Sequence, residues 1–376
     1  MKAFYCLLAS AVFSFSACAK ETVKTVNPNA TKEAKNLLDF LYEIQGKYIL
    51  AGQHNYISAG PVQTERAKAF TGRTPIVWGS DFSFCYQGEK PQNFQHCGPI
   101  NLTMPGDSLS VTGLTPEEAR ERLVQNAIRL HREGFIITLM WHACPPGSGD
   151  CCDGDRIWTW DRRPSQEEWD ELVTDGTVLN GAWKKHADAI ARYLNRLQDA
   201  QVPVLWRPFH EMNGVWFWWC NKPGENGFKR LWRMMYDYFV HHHRLNNLIW
   251  VWNTNAPRST PGDEAGPYAD FWPGNGFVDV LAADVYHGDW KQSHHDDLLK
   301  LAGGKPIALG EVGDVPSPEV LSSQTNWTWF MPWFSGMYRP GRGDAVKKTY
   351  ALKQVLTKED VRIDENGAYR IVRRNE

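Results

Sequence analysis

The chain has 376 residues, 42% of them hydrophobic and 22% charged, and a formal net charge of −2. That balance describes a soluble globule and excludes a strongly basic nucleic-acid binder or a polybasic membrane surface. The length fits one (β/α)8 barrel with inserted loops.

The first residues do not belong to the folded domain. Lys2 precedes an apolar stretch over 3–15, too short to span a bilayer as a helix, that closes with Ser16-Ala17-Cys18. Small residues before a cleavage point mark a secretory signal peptide over 1–17. Cys directly after Ser-Ala is similar to the lipobox of bacterial lipoproteins. The similarity implies a lipidated Cys18, a short tether over 18–30, a folded domain over 31–376 and a place in the cell envelope. Phe15 stands where that motif more often has Leu, and simple secretion with cleavage near Ala19 is the other reading. Without Cys6 and Cys18, six cysteines remain: Cys85, Cys97, Cys144, Cys151, Cys152 and Cys220. An even number in an exported protein points to disulfides, with the pairing open.

Apolar runs of strand length then recur at 48–55, 75–82, 135–143, 202–211, 247–255, 278–287, 306–313 and 327–333. Continuous apolar starts are expected of strands buried on both faces. Helical patterns lie between them, over 115–133, 181–200, 227–243 and 296–302. This alternation predicts a single (β/α)8 TIM barrel. Two connections, 83–113 and 144–181, hold cysteines and little regular pattern, and are expected to wall a cleft. The carboxyl ends of the strands turn polar, with His54-Asn55, Asp81, His142, His210-Glu211, Asn253, Asp284, Tyr286-His287 and Glu311. Such asymmetry locates a functional mouth on one side of a barrel.

Two of these end residues stand out. Glu211 lies in Arg207-Pro208-Phe209-His210-Glu211-Met212-Asn213-Gly214, and Glu311 in Ala308-Leu309-Gly310-Glu311-Val312-Gly313. Two carboxylates at the ends of two barrel strands are what cleavage of a glycosidic bond requires: one holds a proton for the leaving oxygen, the other attacks the sugar carbon. The 18 Trp, 13 Tyr and 17 Phe fit the same reading, because indole faces suit the C–H faces of sugar rings, although most must be packing.

The segment 207–214, followed by Trp216-Phe217-Trp218-Trp219, resembles the acid/base segment of family 26 glycoside hydrolases, mostly β-mannanases. Gly310-Glu311-Val312-Gly313 resembles that family's nucleophile segment, and the likeness runs from about Leu50 to Trp333. It implies Glu211 as acid/base, Glu311 as nucleophile, retention of configuration and carboxyls about 5 Å apart. It also implies substrate contacts from His142, Trp160, His210, Trp216, Asp284, Tyr286 and Trp333. Tyr286 would hold the nucleophile, and Trp216 and Trp333 would be the leaving-group and reacting-sugar platforms. Arg207 and Asn213 would brace the glutamates. The implied substrate is β-mannan or manno-oligosaccharide, with no metal or other cofactor, no nucleic-acid partner, membrane contact only through lipid, and a monomeric state.

Other clusters carry less. His241-His242-His243 falls at a helix end, where imidazoles favour the carbonyl dipole over a metal site. His294-His295-Asp296-Asp297 reads as a solvated helix start. Three further functions stay open: an exo-acting mannobiose-releasing enzyme, another β-glycanase of the same clan, and a non-catalytic carbohydrate-binding lipoprotein.

Overall fold

The computed structural model describes residues 24–55, 60–82, 116–148, 152, 154–158, 163–333, 337 and 341–372. Trp160, Cys18, Cys85, Cys97 and Cys151, the expected signal segment and the loop 83–113 lie outside the described residues.

Eight parallel strands form the centre: β1 Ile49–His54, β2 Val77–Asp81, β3 Ile136–Trp141, β4 Val204–Pro208, β5 Leu248–Asn255, β6 Val280–Val285, β7 Ile307–Val312 and β8 Trp327–Pro332. Each pairs with the next, and β8 returns to β1 with Leu50 opposite Trp329 and Ala51 opposite Phe330. Closure removes both sheet edges and makes this a (β/α)8 barrel, as the alternation predicts. All eight strands lie among the runs read from the sequence.

Side chains alternate between two cores, as the twofold strand period requires. Leu50, Val77, Ile136, Leu205, Ile249, Val280 and Ala308 point into one, shared with Trp329 and Met331. The helix Lys32–Ile44 brings Leu37, Leu38, Leu41 and Ile44 into that cluster. Intervening residues such as Ile137, Val204, Trp206 and Trp250 face the helices in the larger cluster. Met331 needs two glycines: a Cβ on Gly79 would stand 2.3 Å from its sulfur, and one on Gly52 would stand 3.3 Å from its Cβ.

Several details correct the sequence reading. Strand β4 ends at Pro208 rather than running on to residue 211. The second long connection contains the helices Gly154–Ile157 and Gln166–Leu172, the latter started by a Ser165–Glu168 capping box. The helix Val178–Asp199 then begins on Thr177. Helix Phe228–Asp237 passes into a π-helical turn, Tyr238–His242, that carries the histidine run. There His243 pairs with Asp188 at 2.8 Å, while His242 stacks on Tyr238. His294 and His295 are buried rather than solvated, because Asp289 and Asp296 bond their rings and Trp327 packs edge-on against His295.

Cys144 is bonded to Cys152, which ties down the start of the loop after β3. Cys220 departs from the expectation of full pairing: it is a buried free thiol whose sulfur lies 3.1 Å from the Glu211 carbonyl oxygen. At the other end of the chain, residues 26–30 dock on the barrel instead of hanging free. The Val26 amide donates to Asp279 at 2.7 Å, its carbonyl accepts from Tyr236 at 2.7 Å, and Asn27 is buried.

Candidate active site

The carboxyl ends of the strands gather the polar residues, as the sequence asymmetry requires. Asp81, His142, Arg207, His210, Glu211, Asn253, Asn255, Asp284 and Glu311 are all buried there. Burial of so many polar groups is tolerable only because they bond one another.

Glu211 lies beyond β4 in a turn whose backbone is left-handed at Phe209 (φ 49°) and at Glu211 itself (φ 55°). Such angles are costly for residues with a Cβ and persist only where the surroundings impose them. Here the Glu211 amide donates to the Asn253 carbonyl at 2.8 Å. Asn213 fastens the far side, accepting from the Asn255 amide at 2.8 Å and donating to the carbonyls of Asn255 and Gly266 at 2.8 Å each. The strain therefore aims one carboxyl.

Both oxygens of that carboxyl accept from uncharged donors. Trp216 Nε1 donates to Oε2 at 2.7 Å and Asn255 Nδ2 to Oε1 at 2.5 Å. The Asn255 orientation is fixed chemically: its Oδ1 accepts from Arg258, which has no acceptor atom, so Nδ2 must face Glu211. Burial, then the charge of Glu311, pushes Glu211 up to about 7.

Glu311 sits inside β7, where Gly310 precedes it and a register irregularity places it opposite Asp284. Tyr286 Oη donates to its Oε2 at 2.8 Å. Its Oε1 makes no hydrogen bond among the described residues, lying 3.5 Å from Arg207 Nη1 and 3.8 Å from His210 Nε2. The Arg207 contact is thus a long one in which charge outweighs bonding. Burial raises Glu311, and Arg207 with the Tyr286 hydroxyl opposes that rise. The two glutamates interact through one buried volume and share their protons. Among the described residues Arg207 is the formal cation in contact with either carboxyl, and it lies beside Glu311, which favours the charge there.

The remaining predicted residues take distinct places. Asp284 accepts from Asn253 Nδ2 at 2.7 Å, and burial followed by the charge of Glu311 and Glu211 raises it well above its ordinary value. Burial holds His210 well below its ordinary value. His210 approaches Glu311 rather than orienting the neighbouring Glu211. His142 is bonded through Nδ1 to Asp81 at 2.6 Å and lies edge-on to His210. Trp333 is half-buried and stacks on His54 with ring centroids 4.1 Å apart. Trp216 is only 3% exposed; its Nε1 bonds Glu211 and its ring lies beneath the Arg258 guanidinium.

His210, Asp284 and Glu311 bring ligand-type atoms within 4.8 Å of one another. The Arg207 guanidinium, 3.5 Å from Glu311, is the cation already placed beside that group.

Sequence reasoning missed Asn255 and Arg258 as partners of Glu211. Asn255 ends β5 as Asn253 does, which was the available signal; Arg258 opens the hairpin Arg258–Thr260 with Asp263–Ala265.

Comparison with known proteins gives one consistent result. The chain is 32% identical over 355 residues to the mannan endo-1,4-β-mannosidase of Thermothelomyces thermophilus, covering 89% of this chain and 62% of that one. It is 27% identical to the mannan endo-1,4-β-mannosidase of Bacillus subtilis, covering 86% and 82%. The chain spans only 45% and 54% of the two Piromyces mannan endo-1,4-β-mannosidases it also matches. Among solved structures, the GH26A protein of a Muricauda species superposes with a TM-score of 0.78 at 43% identity, over 89% of this chain and 99% of that one. A β-mannanase from a symbiotic protist of the termite Reticulitermes speratus, complexed with gluco-manno-oligosaccharide, gives 0.69 at 29%, over 89% and 96%. The family model for glycosyl hydrolase family 26 matches residues 26–90 and 108–360, spanning β1 to β8 and both glutamates, and the chain belongs to that family.

Proposed function

We propose that the chain is a retaining β-mannanase that hydrolyses β-1,4-mannosidic linkages in mannan, glucomannan or galactomannan. One observation carries this reading: two buried glutamates share a barrel mouth with unlike partners, one held by neutral donors and the other beside a guanidinium. That difference favours the proton on Glu211 and the charge on Glu311, which is what an acid and a nucleophile side by side require. The names of the relatives supply the sugar.

In the first step Glu311 Oε1, the oxygen that Tyr286 does not hold, attacks the anomeric carbon. Glu211 gives its proton to the departing glycosidic oxygen. Its two fixed donors occupy one lone pair on each oxygen, which leaves the proton on the side open to the cleft. In the second step the ionised Glu211 takes a proton from water, the hydroxide attacks the same carbon, and Glu311 leaves. Tyr286 holds Glu311 during both steps. His142, His210, Asp284, Trp216, Trp333 and Trp160 are assigned to the reacting sugar and its neighbours. Internal attack is favoured over release of mannobiose from chain ends, since the relatives are named endo-enzymes.

The Cys144–Cys152 bond fits an oxidising, exported setting, and lipidation at Cys18 with a monomeric state completes the reading. The test is digestion of a polysaccharide panel, with NMR of the first product. Early release of mixed manno-oligosaccharides in the β configuration is expected. The α anomer as first product would overturn the mechanism, and mannobiose alone would overturn internal attack.

A further inference from the structure

Arg258 lies outside the pair of glutamates and touches neither, yet it meets both groups that hold Glu211. Its Nη1 donates to Asn255 Oδ1, and the other end of that amide donates to Glu211 Oε1 at 2.5 Å. Its guanidinium covers the ring of Trp216 at 5.0 Å from the centroid, and Trp216 Nε1 donates to Glu211 Oε2 at 2.7 Å. Two further donors go to Asp263: Nε reaches Oδ2 at 2.9 Å and Nη2 reaches Oδ1 at 2.5 Å. Asp263 is the paired partner of Thr260 in the same hairpin, and Gly266 just beyond it is bonded to Asn213 beside Glu211. The hairpin, the guanidinium and the acid/base loop therefore form one closed circuit.

From this geometry we infer that Arg258, anchored by Asp263, is the positioning residue for the acid/base, fixing the direction of the Glu211 proton through Asn255 and Trp216 together. The inference rests on the proposed role of Glu211. Only a planar fork can do this, because three partners in different directions must be met by one side chain. Lysine would keep the charge and lose the span. The titratable and charged groups facing Glu211 are Glu311, Asp284 and Tyr286 within the barrel, Cys220 behind its carbonyl and Arg258 from the hairpin; His287 lies 3.9 Å from Asp263 behind it. The Arg258 charge opposes the rise that burial and Glu311 impose on Glu211.

A bond with a good leaving group needs no proton, which separates positioning of the acid from general damage. We compare kcat/KM on manno-oligosaccharide with kcat/KM on dinitrophenyl β-mannobioside for wild type, Arg258→Met, Arg258→Lys and Glu211→Ala. Arg258→Met is expected to lose roughly 10- to 100-fold on the oligosaccharide, within the roughly 10²- to 10⁴-fold that a positioned acid supplies, and to keep the activated substrate within about threefold. Its alkaline limb moves to higher pH, since loss of a cation favours the protonated carboxyl. Arg258→Lys keeps the limb near wild type and still loses turnover on the oligosaccharide. Equal losses of Arg258→Met on both substrates, or no loss on either, overturn the inference while Glu211→Ala shows the selective pattern. If Glu211→Ala itself lacks that pattern, the assignment of the acid fails instead.

Discussion

Gly310 faces the side chain of Asn253 with no room for another atom between them. A Cβ at 310 would stand 1.9 Å from Asn253 Oδ1 and 2.8 Å from Asp284 Oδ1. Asn253 Oδ1 accepts from Arg207 at 2.6 Å and its Nδ2 donates to Asp284 at 2.7 Å, so one amide spaces the two groups that flank Glu311. The glycine before Glu311 is thus required by that amide and not by backbone angle. Gly310→Ala is expected to displace Asn253 and to destabilise the fold by about 1–3 kcal/mol, as overpacked cores do. Turnover should fall further than stability, by about a hundredfold, because Arg207 loses its register with Glu311. Calorimetry and kcat on manno-oligosaccharide check the two effects; unchanged kcat would show that the Asn253 bridge is dispensable.

The pH dependence follows from the proton shared by Glu211 and Glu311. Folding raises the Glu211 carboxyl to about 7, so its acid form is present below that value and is lost as pH rises through it. Glu311 is raised to about 7 also, and on the proposed assignment the Arg207 guanidinium beside it favours its ionised form. The profile of kcat/KM on an oligosaccharide should therefore be a bell with its alkaline limb near neutrality. On an activated aryl glycoside that limb should flatten, because the leaving group no longer needs the proton. An alkaline limb identical for both substrates would remove Glu211 from the role.

How much of this was legible in the chain depends on distance along it. The strands could be read because each is buried on both faces, as in β5, and so carries a continuous apolar run. Glu311, Arg207 and His210 followed from local segments. The partners of Glu211 did not: Asn255 is 44 residues away, and the hairpin that supplies Arg258 has no apolar pattern of its own. Asp81 reaches His142 across 61 residues for the same reason. Cys220 was misread because a count of cysteines cannot tell an exported disulfide from a small buried thiol beside the Glu211 carbonyl. The Ser165–Glu168 box was a local signal, obscured by the irregular cysteine-bearing stretch before it.

Tyr286 offers a test of how Glu311 is held. Its hydroxyl donates to this carboxyl's Oε2 at 2.8 Å, and burial with the nearby carboxylates keeps it protonated. Tyr286→Phe removes the donor and leaves the ring. A loss of about 10- to 100-fold in kcat is expected, with a small change in KM, since the bond steadies charge as the ester forms and breaks. A burst of the dinitrophenyl leaving group should appear if breakdown of the ester becomes the slower step. Raised KM with unchanged kcat would assign Tyr286 to substrate binding alone.

At the opposite end of the barrel, Asp279 joins the start of the folded chain to β5. Its Oδ1 accepts from the Val26 amide at 2.7 Å and its Oδ2 from the Trp250 amide at 2.9 Å, and burial raises it to about 6. Because its folded value lies above the ordinary one, the ionised form is less stable in place than in the unfolded chain. Stability from this group is therefore greatest in mild acid and declines as pH rises through 6. Asp279→Ala strands two buried N–H groups, each costing about 1–3 kcal/mol. Hydrogen exchange should then quicken at Val26 and Trp250, while the distant glutamates keep their kcat on substrate below the new melting temperature. Asp279→Asn retains one acceptor and removes the titration, so its stability should vary less between pH 5 and pH 7 than that of wild type, given the Asp279 value of about 6. An equal pH slope in the two proteins would place the titrating group elsewhere.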